Sequence, residues 1–136
     1  MPGKAVIVHS LEQAEAAVAA AAESGTPLTL LSAEGAAGYA GALWFRELAA
    51  LAHARHPEVE VTAILDCADK PGDVLAGLRL GLKQLRFSGR PAVARALAPI
   101  AEAQGARLLT KRLDALDLLD QADPAAACRA WLREPR

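Results

Sequence analysis

The chain has 136 residues, the usual size of one domain, and the sequence predicts a single α/β domain over residues 1–136. Hydrophobic residues make up 53% of it and aromatic residues only 4%, so the core has to be built from Leu, Val, Ile and closely packed Ala. A formal net charge of −1 argues against nucleic acid or an anionic lipid surface as a partner.

Cysteine usage and hydropathy narrow the class of protein further. Cys67 and Cys128 belong neither to a CxxC motif nor to a Cys/His metal spacing, so neither a disulfide scaffold nor a zinc site is predicted. No apolar segment approaches the ~18 residues that a membrane-spanning helix needs, and the first apolar run is too short for a signal-peptide core. These features predict a cytoplasmic protein that has no membrane partner.

The first part of the chain alternates a short apolar run with a helical pattern. AVIVHS at 5–10 is rich in β-branched residues and predicts a buried strand. Ser10 can then cap a helix over 11–24, which Gly25 ends. PLTLLS at 27–32 predicts the second strand.

The middle of the chain repeats this alternation. Residues 35–56 predict a longer helix, which Pro57 prevents from continuing. EVEVTAILD at 58–66 predicts the third strand, because its second half is continuously apolar. Residues 71–81 predict a helix that begins at a proline and ends at a glycine.

The last part contains two further predicted strands and three helices. KQLRFSG at 83–89 predicts the fourth strand, and ARLLTK at 106–111 predicts the fifth. Residues 91–104 predict a helix between them. LDALDLLDQA at 113–122 predicts another helix, and an Asp-Pro pair opens a last helix at 124–131.

Five strands alternating with helices predict a three-layer α/β domain with a mostly parallel sheet. The preferred strand order is the doubly wound, flavodoxin-like 2-1-3-4-5. A half-barrel that completes itself by oligomerising has the same local pattern and stays open as the alternative. The late apolar residues Trp131 and Leu132 either cover a sheet face or meet another subunit, so a homodimer is also predicted.

Polar residues lie at or just after the carboxyl ends of the predicted strands, at the edge where a parallel sheet gathers its ligand-binding groups. Taken singly, each of them is more often an ordinary loop residue. The candidates for ligand binding are His9, Ser10, Glu34, Asp66, Asp69, Lys70, Ser88, Arg90 and Lys111.

Charge is distributed unevenly along the chain. Residues 74–112 carry eight basic side chains against one acidic side chain, Glu102. Such a block can hold a phosphate or an acidic partner, but solvated helix faces explain it equally well.

The histidines and Cys67 offer little evidence for metal or nucleophilic chemistry. His53 and His56 can share a metal, but their place in a last helical turn favours a simple interaction with the helix dipole. Cys67 can act as a nucleophile near His9, although an isolated cysteine is more often a small buried hydrophobe. The sequence therefore predicts no metal site and identifies no cofactor.

Three strand ends resemble the receiver domain of two-component response regulators. Asp66 closes the third strand in AILD, Ser88 the fourth in LRFS and Lys111 the fifth in GARLLTK, where receivers place a phosphoacceptor, a hydroxyl residue and a lysine. Receivers also carry an acidic Mg²⁺-binding pair after the first strand, and here that place reads His9-Ser10. The leading hypothesis is therefore a non-catalytic, receiver-like module that binds a protein partner and is not phosphorylated.

The alternative is a small cytosolic enzyme, or a binder of an anionic small metabolite, that uses the same strand ends. Asp66, Asp69 or Glu34 can serve as acid or base, and Lys70 or Lys111 can hold an anion or form a Schiff base. An enzyme of this kind requires one concave cleft that contains Asp66, Lys70 and Lys111.

Overall fold

A computed structural model describes residues 2–135. The strands are β1 (Lys4–Val8), β2 (Leu28–Ser32), β3 (Val61–Asp66), β4 (Gln84–Arg86), β5 (Arg107–Leu109) and β6 (Ala115–Asp117). The helices are α1 (Leu11–Ser24), α2 (Ala36–Tyr39), α3 (Ala42–Ala54), α4 (Pro71–Arg79), α5 (Pro91–Ala103) and α6 (Pro124–Arg133).

The strands form a parallel sheet in the order β5-β4-β3-β2-β1-β6. The predicted α/β class with a parallel sheet is confirmed, whereas the count of five strands and the flavodoxin-like order 2-1-3-4-5 are wrong. From β1 to β5 each crossover advances by one strand in a constant direction, and a doubly wound sheet reverses direction instead. Both topologies place a helix after each strand, so the local pattern does not separate them. The consecutive order is the one that the half-barrel alternative requires.

The sixth strand lies where the sequence predicts a helix over 113–122. Ala115 is the register partner of Ala5, and the N–H of Leu118 donates to the carbonyl of Ile7 at 3.0 Å. The apolar spacing of this segment fits a helix as well as a strand, so pairing with the edge of β1 decides its conformation.

Helix α1 has the predicted bounds and caps. The Ser10 hydroxyl accepts a hydrogen bond from the Gln13 N–H at 3.2 Å, which satisfies one of the free donors of the first turn. Gly25 ends the helix with φ at 65°, a left-handed conformation that glycine adopts without steric cost.

The long helix predicted over 35–56 is instead divided into α2 and α3. Gly41 lies between them with φ at 93°, outside the helical region. Helices α4 and α5 begin at Pro71 and Pro91 as predicted, and Pro99 lies inside α5 without ending it.

The chain divides into two compact units. Unit 1 comprises residues 2–31, 47–62 and 113–135 of the described chain, and unit 2 comprises Ser32–Arg46 and Ala63–Arg112. The prediction of one domain over residues 1–136 stays a prediction, since it concerns cooperative unfolding.

In unit 1, α6 is fixed to β1 through Trp131. The indole N–H of Trp131 donates to the Ala5 carbonyl at 3.0 Å, and Lys4 Nζ lies 4.8 Å from the ring centroid. Lys4 also donates to the carbonyls of Trp131, at 2.7 Å, and Glu134, which caps the end of the helix. Trp131 therefore packs on β1, and the homodimer stays a prediction.

In unit 2, the core surrounds β3 and β4. Leu65 and Leu85 are register partners and fully buried, and Val74 of α4 and Phe87 are buried with them. Across residues 2–135, no helix has the length and apolar character required to cross a bilayer.

Candidate functional site

Asp66 is the last residue of β3, and the residue as a whole is only 3% exposed. Its Oδ1 accepts hydrogen bonds from the N–H groups of Gly35, at 3.1 Å, and Ala68, at 2.8 Å. Its Oδ2 accepts from Arg86 Nη1 at 2.9 Å, and its own N–H donates to the Ser32 hydroxyl at 2.8 Å. Both carboxylate oxygens are therefore occupied by the protein.

Arg86 ends β4 directly beside Asp66 and connects three parts of unit 2. Its Nη1 binds the Asp66 carboxylate, while its Nε donates to the Lys111 carbonyl at 3.1 Å. The side chain of Arg86 is 14% exposed, so the ion pair lies largely out of water. Asp66 and Lys111 are thus brought near one another through Arg86, which was not among the predicted candidates.

The loop from Cys67 to Lys70 is held in a strained conformation by these contacts. Ala68 has φ at 49°, a left-handed conformation that non-glycine residues seldom adopt. Its N–H is bound by Asp66 Oδ1, and its carbonyl accepts from the Ser88 N–H at 2.8 Å. Asp66 therefore fixes the loop and, through it, the position of Ser88.

Cys67 is a fully buried thiol that lies beside this cluster. Burial raises its pKa to about 12, with a smaller contribution from the negative charges of Asp73 and Asp66. Burial likewise raises the pKa of Cys128 to about 11. The neutral, enclosed Cys67 thiol fits a small buried hydrophobe and does not fit a nucleophile.

Both cysteines are expected to resist an aromatic disulfide reagent at about pH 8 in the folded protein and to react once urea unfolds it. Because the pKa of each thiol is raised in the folded state above its ordinary value of 9.0, the unfolded chain loses these protons first. Stability should therefore fall as the pH rises above about 9. A Cys67→Ala variant should show a smaller loss over that range, and rapid labelling of the folded protein would contradict the burial.

Two open clefts lie around the Cys67–Lys70 loop, and Pro71 lines both. The β4–α5 cleft, of about 410 Å³, is lined by Asp69, Pro71, Phe87, Ser88, Gly89, Arg90 and Val93. The α2 cleft, of about 560 Å³, is lined by Gly35, Gly38, Tyr39, Ala68, Lys70, Pro71, Gly72 and Asp73.

These two clefts divide the predicted site residues of unit 2. Asp69, Ser88 and Arg90 line the β4–α5 cleft, and Lys70 lines the α2 cleft. Asp66 lines neither, because its carboxylate is buried against Arg86. Glu34 and Lys111 are exposed and line neither. The enzyme hypothesis requires one cleft that contains Asp66, Lys70 and Lys111. Neither of these two clefts contains all three.

In unit 1, His9 and Ser10 have structural partners of their own. His9 Nε2 lies 2.6 Å from Asp117 Oδ1, and the His9 N–H donates to Gln13 Oε1 at 2.7 Å. Ser10 caps α1, as described above. Asp117 could not be identified as a partner from the sequence, because its segment is predicted to be helical.

His53, in α3, and His56, just after α3, also have protein partners. His53 Nε2 lies 2.8 Å from the Val59 carbonyl oxygen, and His56 Nδ1 lies 3.4 Å from Glu58 Oε1. Within the part of the chain that the structure describes, no three His, Cys, Asp or Glu residues are grouped as metal ligands.

The two units differ in charge. The segments 32–46 and 63–112 of unit 2 contain ten basic and five acidic residues, an excess of five positive charges. The rest of the sequence contains five basic and eleven acidic residues. The basic side chains of the sequence are therefore concentrated in unit 2.

Comparisons with known proteins identify two aldolases that resemble the chain. It is 30% identical over 82 residues to the plasmid fructose-bisphosphate aldolase of Cupriavidus necator, a match that covers 60% of this chain and 24% of that protein. A crystal structure of a protein assigned as a fructose-1,6-biphosphate aldolase from Coccidioides immitis has a TM-score of 0.66 and 26% identity, covering 79% of this chain and 40% of that one. No protein-family model matches the chain. The chain thus spans less than half the length of either relative.

These similarities overturn the receiver hypothesis. The resemblance to a response-regulator receiver rests on Asp66, Ser88 and Lys111, but both relatives are named as aldolases and the strand order is not that of a receiver. A residue at the end of a parallel strand has the same sequence context in both kinds of fold, which explains the wrong assignment. The receiver-like, non-catalytic module is therefore incorrect, and the chain is similar in sequence and in structure to parts of fructose-bisphosphate aldolases.

Proposed function

We propose that unit 2 binds a phosphorylated sugar, or a small metabolite of the same anionic class, in the β4–α5 cleft. The observation that carries this proposal is the presence of Ser88 and Arg90 in one cleft at the carboxyl end of β4. A guanidinium and a hydroxyl are the donors that a phosphate group requires. The names of the two aldolases supply the class of ligand.

Size and charge support the same ligand class. A cleft of about 410 Å³ lies within the range of small-molecule sites, and its lining combines the apolar Phe87 and Val93 with the polar Ser88 and Arg90. The positive excess of unit 2 favours the approach of a phosphate.

The Asp66–Arg86 ion pair has a positioning role in this proposal. It fixes Ala68, and the Ala68 carbonyl accepts the Ser88 N–H, so the polar wall of the cleft depends on it. Both oxygens of Asp66 are occupied, and the Cys67 thiol is protonated at neutral pH. The proposal therefore concerns binding and assigns neither residue to a bond-breaking step.

Titration calorimetry with fructose 1,6-bisphosphate, fructose and inorganic phosphate tests this function. Arg90→Ala is expected to weaken binding of the bisphosphate about tenfold, because it removes a charged hydrogen bond to the phosphate. Arg95→Ala is the matched control, because Arg95 is an exposed arginine of α5, the helix that Arg90 precedes, and lines neither cleft. It should leave the affinity unchanged.

Two results would refute the proposal. One is the absence of binding by both the bisphosphate and inorganic phosphate at millimolar concentration. The other is an equal loss of affinity in Arg90→Ala and Arg95→Ala, which indicates general attraction to positive charge. A cytoplasmic location and a homodimer remain predictions that these titrations do not address.

A further inference from the structure

The α2 cleft combines an exposed aromatic ring with an acidic and a basic group. Tyr39 is the single tyrosine of the chain, and it is 72% exposed on the short helix α2. Asp73 and Lys70 line the same cleft. A concave cleft that combines an aromatic ring with a few convergent polar groups has the composition of a small-molecule site.

Asp73 lies in the first turn of α4, where its carboxylate interacts favourably with the helix dipole. It is half-buried, and the structure gives its side chain no hydrogen bond or ion pair to any residue in the range 2–135. It lies against α2, because a Cβ placed on Gly38 would be 3.3 Å from Asp73 Oδ2. The charge acts within the site, since it contributes to raising the pKa of Cys67.

Lys70 is available for a ligand phosphate. Its Nζ lies 3.6 Å from Asp69 Oδ1, but both side chains are about two-thirds exposed. An ion pair of this kind contributes little in water, so a doubly charged phosphate competes well for the lysine.

Three glycines leave the surface of the cleft open. Gly35, Gly38 and Gly72 line it without side chains. A Cβ on Gly72 would meet no atom within 4 Å, so a larger side chain there projects into free space without strain. Gly72 therefore allows the cleft to be filled while the fold is kept.

We propose that the α2 cleft is the subsite for the body of the phosphorylated sugar, and this inference rests on the proposed function. The Tyr39 ring packs against the C–H face of the sugar, and Asp73 accepts hydrogen bonds from its hydroxyl groups. Lys70 holds a second phosphate. A sugar has an apolar C–H face and hydroxyl groups that donate hydrogen bonds. An aromatic ring can pack on the first, and a carboxylate can accept from the second.

The test compares the affinities of fructose 1,6-bisphosphate and inorganic phosphate for the 136-residue chain and four variants of it. Tyr39→Ala and Gly72→Leu are expected to weaken binding of the bisphosphate about tenfold, with little change for inorganic phosphate. Tyr39→Phe should retain the wild-type affinity, because it keeps the ring. Ala50→Leu is the control, since it adds the same side chain to an exposed position of α3 outside the cleft.

The outcomes separate failure of the α2-cleft subsite from failure of the proposed function. Binding of the bisphosphate with unchanged affinity in Tyr39→Ala and Gly72→Leu would overturn the subsite and leave the proposed function intact. Absence of binding by the wild-type chain would overturn both. An equal loss in Gly72→Leu and Ala50→Leu would also overturn the subsite, because the effect would then not depend on the cleft.

Discussion

Replacing Arg86 by methionine is expected to lower the free energy of unfolding by about 3–5 kcal/mol. The substitution leaves the Asp66 carboxylate buried without its counter-ion, since the two side chains are 14% and 5% exposed. It also removes the hydrogen bond that Arg86 donates to the Lys111 carbonyl. Urea denaturation followed by tryptophan fluorescence measures the effect.

Two variants distinguish loss of the ion pair from a general effect of mutation. Arg79→Met removes an exposed arginine of α4 and should cost less than about 0.5 kcal/mol. Asp66→Asn combined with Arg86→Met should recover most of the lost stability, because the amide keeps an oxygen for the N–H groups of Gly35 and Ala68 without a buried charge. An Arg86→Met variant as stable as the wild type would show that the pair is not buried.

The same experiment tests the one-domain prediction. Trp44 lies in unit 2 and Trp131 in unit 1, so single-tryptophan variants report on each unit separately. If residues 1–136 unfold as one domain, Arg86→Met shifts both transitions together. Two separate transitions would mean that the units unfold independently.

Gly3→Ala is expected to destabilise the protein by about 1–3 kcal/mol through steric overlap. A Cβ at Gly3 would overlap the backbone carbonyl of Pro27 and approach the N–H of Leu28, and backbone atoms cannot rotate away as a side chain can. The Gly3 carbonyl also accepts the Thr29 hydroxyl at 2.8 Å, which fixes the approach of β1 to β2.

Gly72→Ala provides the matched control for this substitution. Its added methyl group meets nothing within 4 Å, so the change should be neutral or stabilise by about 0.4–1 kcal/mol through reduced freedom of the unfolded chain. Thermal and urea denaturation compare the two variants. Equal stability of Gly3→Ala and Gly72→Ala would contradict the close contact of β1 with the chain at Pro27.

The sequence predicted those elements that local signals determine. Ser10 and Gly25 defined both ends of α1, and Pro71 and Pro91 defined the starts of α4 and α5, because capping and proline geometry act over a few residues. The break between α2 and α3 was not predicted, because the backbone conformation of Gly41 cannot be inferred from a glycine within an otherwise helical pattern.

Features that depend on distant pairing could not be predicted in this way. Strand β6 forms because residues 115–117 pair with β1, and no signal within 113–122 indicates that partner. The strand order 5-4-3-2-1-6 is likewise a property of the whole sheet. A doubly wound and a consecutive sheet differ in the direction of each crossover, which residue patterns do not encode.

The predicted site residues stay a prediction, and the structure shows only where each of them lies. Ser88 and Arg90 were selected from their place at the carboxyl end of the predicted fourth strand, and both line the β4–α5 cleft. Asp66 was expected to face a ligand, but its partner Arg86 was overlooked. The register places Arg86 beside Asp66, and this register follows from strand pairing that the sequence alone does not give.

Tyr39 was also not identified as a site residue. In the sequence it lies within the helix predicted over 35–56, and in the structure it is 72% exposed. The short helix α2 ends at this tyrosine, and the left-handed Gly41 separates it from α3.

Backbone amide shifts during titration with fructose 1,6-bisphosphate test the central claim most directly. We expect the largest changes at Ser88, Gly89 and Arg90, with further changes at Lys70 and none that saturate in unit 1. Fructose without phosphate should produce no comparable shifts. Saturating changes confined to residues 2–31 and 113–135, or no changes at millimolar bisphosphate, would contradict a phosphorylated-sugar site at the carboxyl end of β4.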